Sequence, residues 1–171
     1  MQTTQKLTGA IPLLGRYQID PGGSSVTFRT RHLFGLAPVR GRFAFRGGTV
    51  DVTEPLTGAR VNAEIESGSF HTGNRQRDTA VRSAQFLAAG EHPVVAFSSE
   101  GLDGPVLNGT LTVRGESRPV SVHIEVTGVD PRWFTARATV RIDRYDFGVT
   151  ASRGLAGRYL DITMEVRCVR S

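Results

Sequence analysis

The feature that most constrains this chain is an alternation of apolar and polar residues with a period of two, which recurs from about residue 24 to residue 166. Period two is the spacing of a strand with one covered face. From Ser24 to His32, Val26, Phe28, Thr30 and His32 share one face, with Thr27, Arg29 and Arg31 on the other. From Val39 to Phe45, Val39, Gly41, Phe43 and Phe45 oppose Arg40 and Arg42, and Gly47-Gly48 then reads as a turn. A third run sets Ala59, Val61, Ala63 and Ile65 against Arg60, Asn62 and Glu64. Beyond a long interval, Val94–Glu100 (with Phe97) and Val106–Arg114 (with Leu107, Gly109, Leu111 and Val113 in phase) form a hairpin around Asp103-Gly104-Pro105. Gly115–Arg118 makes the next turn, and Val120, Val122, Ile124 and Val126 follow in phase before a turn at Asp130-Pro131. Phe134, Ala136, Ala138, Val140 and Ile142 make the seventh run, and Leu160, Ile162, Met164 and Val166 the eighth.

Eight such strands, mostly joined by short turns, predict an all-β fold. A sheet with one wet face hides the other by closing on itself, so the expectation is an eight-stranded antiparallel barrel. A barrel of that size is either filled by side chains or wide enough for one slender ligand. Small inward residues (Gly41, Ala59, Ala63, Gly109, Ala136 and Ala138) leave room, whereas Phe28, Phe43, Phe45, Phe97 and Phe134 could fill it. The alternation leaves both readings open. Composition agrees with the fold class: 18 Val, 17 Thr and 20 Gly among 171 residues. The length suits one domain, read as an extension over residues 1–15 and a barrel over 16–171.

The interval from Ser67 to Pro93 breaks the meander between the third and fourth strands. Asn74 is a candidate N-cap, and Ala80, Val81, Ala84 and Leu87 have roughly helical spacing, so one or two short helices are expected there. A helix inserted at that point can shield a barrel opening. Arg75, Arg77, Asp78 and Arg82 on it read either as a solvated face or as arginines meeting a phosphate at the barrel mouth. His32, inward at a strand end, is either a rim histidine or a polar contact for a ligand. Asp143-Arg144-Tyr145-Asp146-Phe147-Gly148 reads as a corner held by ion pairs of Arg144.

Several classes of function are disfavoured. No apolar run approaches the roughly 18 residues of a spanning helix. The net charge is +5, but the arginines are scattered along the chain, which argues against a nucleic-acid stripe. The single cysteine, Cys168, excludes an intramolecular disulfide. The four histidines form no local metal pair, and no nucleophile elbow, P-loop or dinucleotide fingerprint occurs, so no metal, cofactor or catalytic residue is assigned. Residues 1–16 lack a continuous apolar stretch of the signal-peptide kind, and a cytoplasmic location is expected.

Together, Tyr17-Gln18-Ile19-Asp20, SSVTF at Ser24–Phe28, Arg31-His32-Leu33 and Gly41-Arg42-Phe43 resemble the opening of the YceI-like family. RDTAVRSAQF from Arg77, HPVVAFSSE from His92, GTLTVRGESRPV from Gly109 and IDRYDFGV from Ile142 continue the likeness in order. The resemblance implies a lipocalin-like barrel around an elongated apolar pore that takes polyisoprenoid or related lipid chains, and so favours a cavity over a packed interior. It also implies a non-enzymatic carrier or store, with a lipid-modifying enzyme or accessory as the alternative. The expected lining is Val26, Phe28, Phe43, Val61, Phe97, Leu111, Val122, Ile124, Phe134, Ala136, Ala138 and Ile142, with His32, Arg75 and Arg77 toward the ligand's polar end. The expected partner is an isoprenoid lipid, and a homodimer is compatible with the sequence. Two positions depart from the family pattern: Gly23 and Ala80 stand where histidines are common.

Overall fold

The computed structural model describes residues 10–32, 35–152 and 156–171. Nine strands occur among them: β1 (Gly15–Ile19), β2 (Ser25–His32), β3 (Ala37–Val52), β4 (Arg60–His71), β5 (Val94–Asp103), β6 (Val106–Val113), β7 (Glu116–Val129), β8 (Trp133–Asp143) and β9 (Tyr159–Arg170). All pair antiparallel with their sheet neighbours, and β3 meets β4 while β9 meets β1 and β2, so the sheet closes. β1 lies against residues 49–52 of β3 and 168–170 of β9, and β2 lies between the same two strands at 37–43 and 161–165. They are successive pieces of one stave, interrupted at residues 20–24. Nine strands therefore make the expected eight-staved barrel.

Several boundaries differ from the sequence reading. β4 runs on to His71, past the expected break at Ser67. β7 begins at Glu116, inside the expected turn Gly115–Arg118, because Arg114 and Gly115, both at positive φ, make the whole turn. β3 does not turn at Gly47-Gly48 but runs on to Val52. The register with β4 shifts between Phe45 and Gly47, and a side chain on Gly48 would strike the Asn62 carbonyl, so the pair marks a bulge where two backbones approach closely. β1 is too short to show an alternation of its own. Of the extension expected over residues 1–15, residues 1–9 lie outside the described residues.

Strand direction sorts the connections between the two ends of the barrel. One end, the floor, carries the turns at 104–105 and 130–132, the short helical turn Leu56–Gly58 and the start of β1. It is densely packed: Tyr17, fully buried, meets Phe134 edge-on at 4.8 Å and donates its hydroxyl to the Leu13 carbonyl at 2.8 Å. Ile19, Phe45, Val52 and Cys168 complete the cluster, and burial pushes the Cys168 thiol up to about 12. The other end, the mouth, carries the long segments 72–93 and 144–158. The first contains the one α-helix among the described residues, α1 (Arg75–Arg82), whose N-cap Asn74 accepts from the Arg77 amide at 3.0 Å.

Rings and space divide the interior. Phe45 and Phe134 belong to the floor, while Phe28, Phe43 and Phe70 cluster along one wall at 5.3–5.6 Å between centroids, Phe28 stacked on Phe70 and Phe43 edge-on to it. Three of the small residues expected to leave room do not, the first being Ala59, which is buried just ahead of β4 and does not line the cavity. A Cβ on Gly41 would collide with the Phe28 ring and sit 2.8 Å from the His71 carbonyl oxygen; one on Gly109 would sit 2.6 Å from the Phe97 ring. Those glycines accommodate neighbouring aromatics. Ala63, Ala136 and Ala138 face open space instead.

Candidate functional site

Above the floor, the barrel encloses a cavity of about 530 Å³, within the usual range for a small-molecule site. Of the residues expected to face inward, Val26, Phe28, Phe43, Val61, Phe97, Leu111, Val122, Ile124, Phe134, Ala136, Ala138 and Ile142 all line it, as do His32 and Arg77. Arg75 does not; it is exposed at the start of α1. At about 100° per residue, Arg77, Ala80 and Val81 share the cavity face of the helix, whereas Arg75 lies about 200° from Arg77. Ala80, at one of the departures from the family pattern, is thus a lining position. Gly23 is not, and a Cβ there would sit 2.6 Å from the Asp20 carboxylate.

The polar side chains in the lining are Thr30, His32, Arg77, Arg144 and Ser152, and every one sits at the mouth: at the end of β2, on α1, or in the 144–158 segment. The shaft below them is apolar down to the floor, as alternation on every strand dictates.

Arg77 is held by its neighbours. Its Nε donates to Thr72 Oγ1 at 2.8 Å, and Thr72 in turn donates its amide (3.0 and 3.1 Å) and its hydroxyl to the Asp78 carboxylate. Asp78 is buried, at 4% exposure. Burial works against its charge, but the Thr72 bonds, together with the electrostatic influence of the nearby His71 and Arg82, outweigh burial and hold its carboxyl below the usual carboxylate range. A group depressed in the folded state stabilises above its unfolded pKa, about 3.9, and loses that contribution as pH falls through the lower folded value. Asp78→Asn is therefore expected to cost about 2 kcal/mol at neutral pH, since an amide nitrogen cannot accept the Thr72 bonds. Urea denaturation should show the gap between variant and parent narrowing below about pH 4; a pH-independent gap would mean that packing, not charge, explains the loss.

Arg144 is the principal mouth residue absent from the expected lining. At its corner Asp143 pairs with Arg158 at 2.8 Å, and that bond, with the Tyr145 amide and the charges of Arg158 and Arg144, holds the Asp143 carboxyl low. Arg144, only 7% exposed, donates to the carbonyls of Val149 (2.8 Å), Gly157 (2.7 Å) and Ala156 (3.3 Å). Its guanidinium also lies 5.6 Å from the Phe86 ring centroid and 5.1 Å from that of Tyr145. It joins the two mouth segments, with Phe147 and Val149 packed beneath against Phe86. Phe86 and Leu87, just beyond α1, also line the cavity. The helical spacing in the sequence singles out Leu87, although α1 ends at Arg82, and that spacing does not mark Phe86.

The YceI-like domain matches residues 17–168, nearly the whole described barrel. A UPF0312 protein of Shewanella baltica is 32% identical over 169 residues, covering 90% of this chain and 87% of the relative. The chain belongs to the YceI-like family. A second relative, a UPF0312 protein of Pectobacterium atrosepticum, is 30% identical over 172 residues, covering 92% of this chain and 88% of its own. Among solved structures, a polyisoprenoid binding domain from Saccharophagus degradans implicated in plant cell wall breakdown superposes with a TM-score of 0.74 at 12% identity, covering 93% of this chain and 100% of that one. BcnA of Burkholderia cenocepacia also gives 0.74, at 18% identity, with 87% and 98% covered. At such identities the likeness to these two structures is one of fold: the YceI-like barrel.

Proposed function

We propose that this protein binds a long isoprenoid-type lipid as a non-enzymatic carrier or store, with the apolar chain in the shaft and the polar end at the mouth. The observation that carries this reading is the confinement of the polar lining residues to one end of an otherwise apolar cavity. That division matches an amphiphile with a long tail and a small head. The polyisoprenoid binding named for the Saccharophagus neighbour supports the same choice of ligand class. The driving force is burial, roughly 0.8 kcal/mol gross per buried carbon, so affinity should climb with chain length until the shaft is full.

Extraction of the purified protein under denaturing conditions, followed by mass spectrometry, tests the reading directly. Recovery of an unmodified isoprenoid lipid supports it; an empty extract combined with no binding of added polyprenols or isoprenoid quinones overturns it. The head group is tested separately. Arg77→Ala should weaken a polyprenyl diphosphate roughly ten- to a hundredfold, the worth of a charge-assisted hydrogen bond, and leave a neutral polyprenol of equal length unchanged. Arg75→Ala should affect neither. Equal losses for charged and neutral ligands would remove Arg77 from the head-group site.

A further inference from the structure

Arginines scattered along the sequence are not scattered in the barrel. Among the described residues, the mouth-end segments 29–42, 72–92, 114–118 and 141–161 carry twelve arginines and six acidic residues. The remaining described residues carry seven arginines and ten acidic residues. The mouth end is basic and the rest of the barrel is acidic. Four of the mouth's six carboxylates are engaged within the fold: Asp78 by Thr72, Asp143 by Arg158, Asp161 by Arg141 and Glu116 by Arg118.

The excess concentrates on the β2–β3 hairpin. Arg29 sits directly opposite Arg40, with Arg42 opposite Thr27 and Arg31 opposite Pro38, and all four arginines are exposed. Arg29 has Asp161 as its neighbour on β9, but that carboxylate is already bonded to Arg141 at 2.8 Å. Arg31, Arg40 and Arg42 make no ion pair among the described residues. Like charges facing each other across a strand pair are destabilising, so the arrangement is unfavourable for the barrel in isolation. At the hairpin's mouth end, Leu36 is 84% exposed, the most exposed large apolar side chain described.

We propose that the mouth end docks on an anionic lipid bilayer, with the hairpin arginines on the head groups and Leu36 entering the interfacial layer. Each arginine near such a surface contributes about fivefold in binding, and an inserted apolar side chain adds to it. The docking stands on the charge distribution alone. That it sets the cavity opening against the source of its ligand rests on the proposed function.

Co-sedimentation with vesicles of phosphatidylcholine alone, and of phosphatidylcholine mixed with phosphatidylglycerol, tests this. The protein as purified should pellet with the mixed vesicles only, and sodium chloride should release it. Arg31→Glu with Arg40→Glu should reduce binding at least 25-fold or so, two fivefold losses before added repulsion. Leu36→Ser should reduce it further in the same background. Arg60→Glu with Arg132→Glu, at the floor end, should change it little. Circular dichroism and polyprenol uptake check that each variant remains folded with its cavity intact, so a protein that fails to take polyprenol can still pass or fail on vesicles. Equal pelleting with both vesicle types, equal loss in the floor-end variant, or competition by duplex DNA at the same charge concentration would overturn the proposal. So would a parent dimer that the hairpin variant dissolves, which would give the hairpin to a second copy of this chain.

Discussion

Ala138→Phe is expected to abolish uptake of long isoprenoid chains while leaving a folded barrel. Ala138 pairs with Ile124 on β7 and Met164 on β9 about midway down the shaft, and it lines the cavity. A ring there projects into the space a threaded chain needs and cuts off everything below. Losing the burial of even one five-carbon unit costs about 4 kcal/mol gross, nearly a thousandfold in affinity. Chains short enough to end above the ring should bind as before, so a length series measured by fluorescence competition separates a blocked shaft from a damaged one. The stability cost of overpacking, about 1–3 kcal/mol, should stay small because the ring turns into open space. Parent-like affinity at every length would mean that the chain does not run down the barrel.

Arg144→Met should be the most destabilising single change at the mouth, by about 3 kcal/mol or more. The side chain supplies donors to three backbone carbonyls and bridges two segments. Methionine keeps much of the volume but leaves those carbonyls without their donors, and each buried acceptor so stranded costs about 1–3 kcal/mol. Lysine should rescue little, since one ammonium cannot span the directions of a planar fork. Hydrogen exchange should rise over 145–158 before the rest of the barrel responds, with urea denaturation giving the total. A loss below about 1 kcal/mol would show that the mouth segments hold together by their apolar contacts.

Alternation carried most of the fold into view, because an inward residue on a barrel strand must be apolar wherever the shaft is. The same rule found the lining from Val26 to Ile142. It failed where backbone geometry rather than side-chain polarity decides. Gly47-Gly48 looks like a turn but is a bulge, and the space beside Gly41 and Gly109 belongs to Phe28 and Phe97. At the mouth, pattern gives way to tertiary contact. Arg75 and Arg77 are two residues apart and equally basic, and only the direction of a short helix separates them. Arg144 has Asp143 and Asp146 close to it in the sequence, yet it also donates to carbonyls from 149 to 157, which no local motif announces. The basic mouth was hidden for a related reason: arginines evenly spread along an up-and-down chain say nothing about which end of the barrel each one reaches.

The split first stave has a consequence for how the molecule comes into being. Both of its pieces need β9 as a neighbour, so Ser25 waits for Glu165 and Tyr17 waits for Arg170. At 5–20 residues per second, translation separates those partners by on the order of ten seconds. During that interval β2 and β8 are both open sheet edges, and there is no enclosed shaft to shelter the apolar face. Pairing of such distant segments places the barrel among slow folders, in the millisecond-to-second range once the chain is complete. Until the final strand arrives, the nascent protein is a curled sheet with its future cavity wall exposed, and the moment of closure is also the first moment at which a lipid can be held.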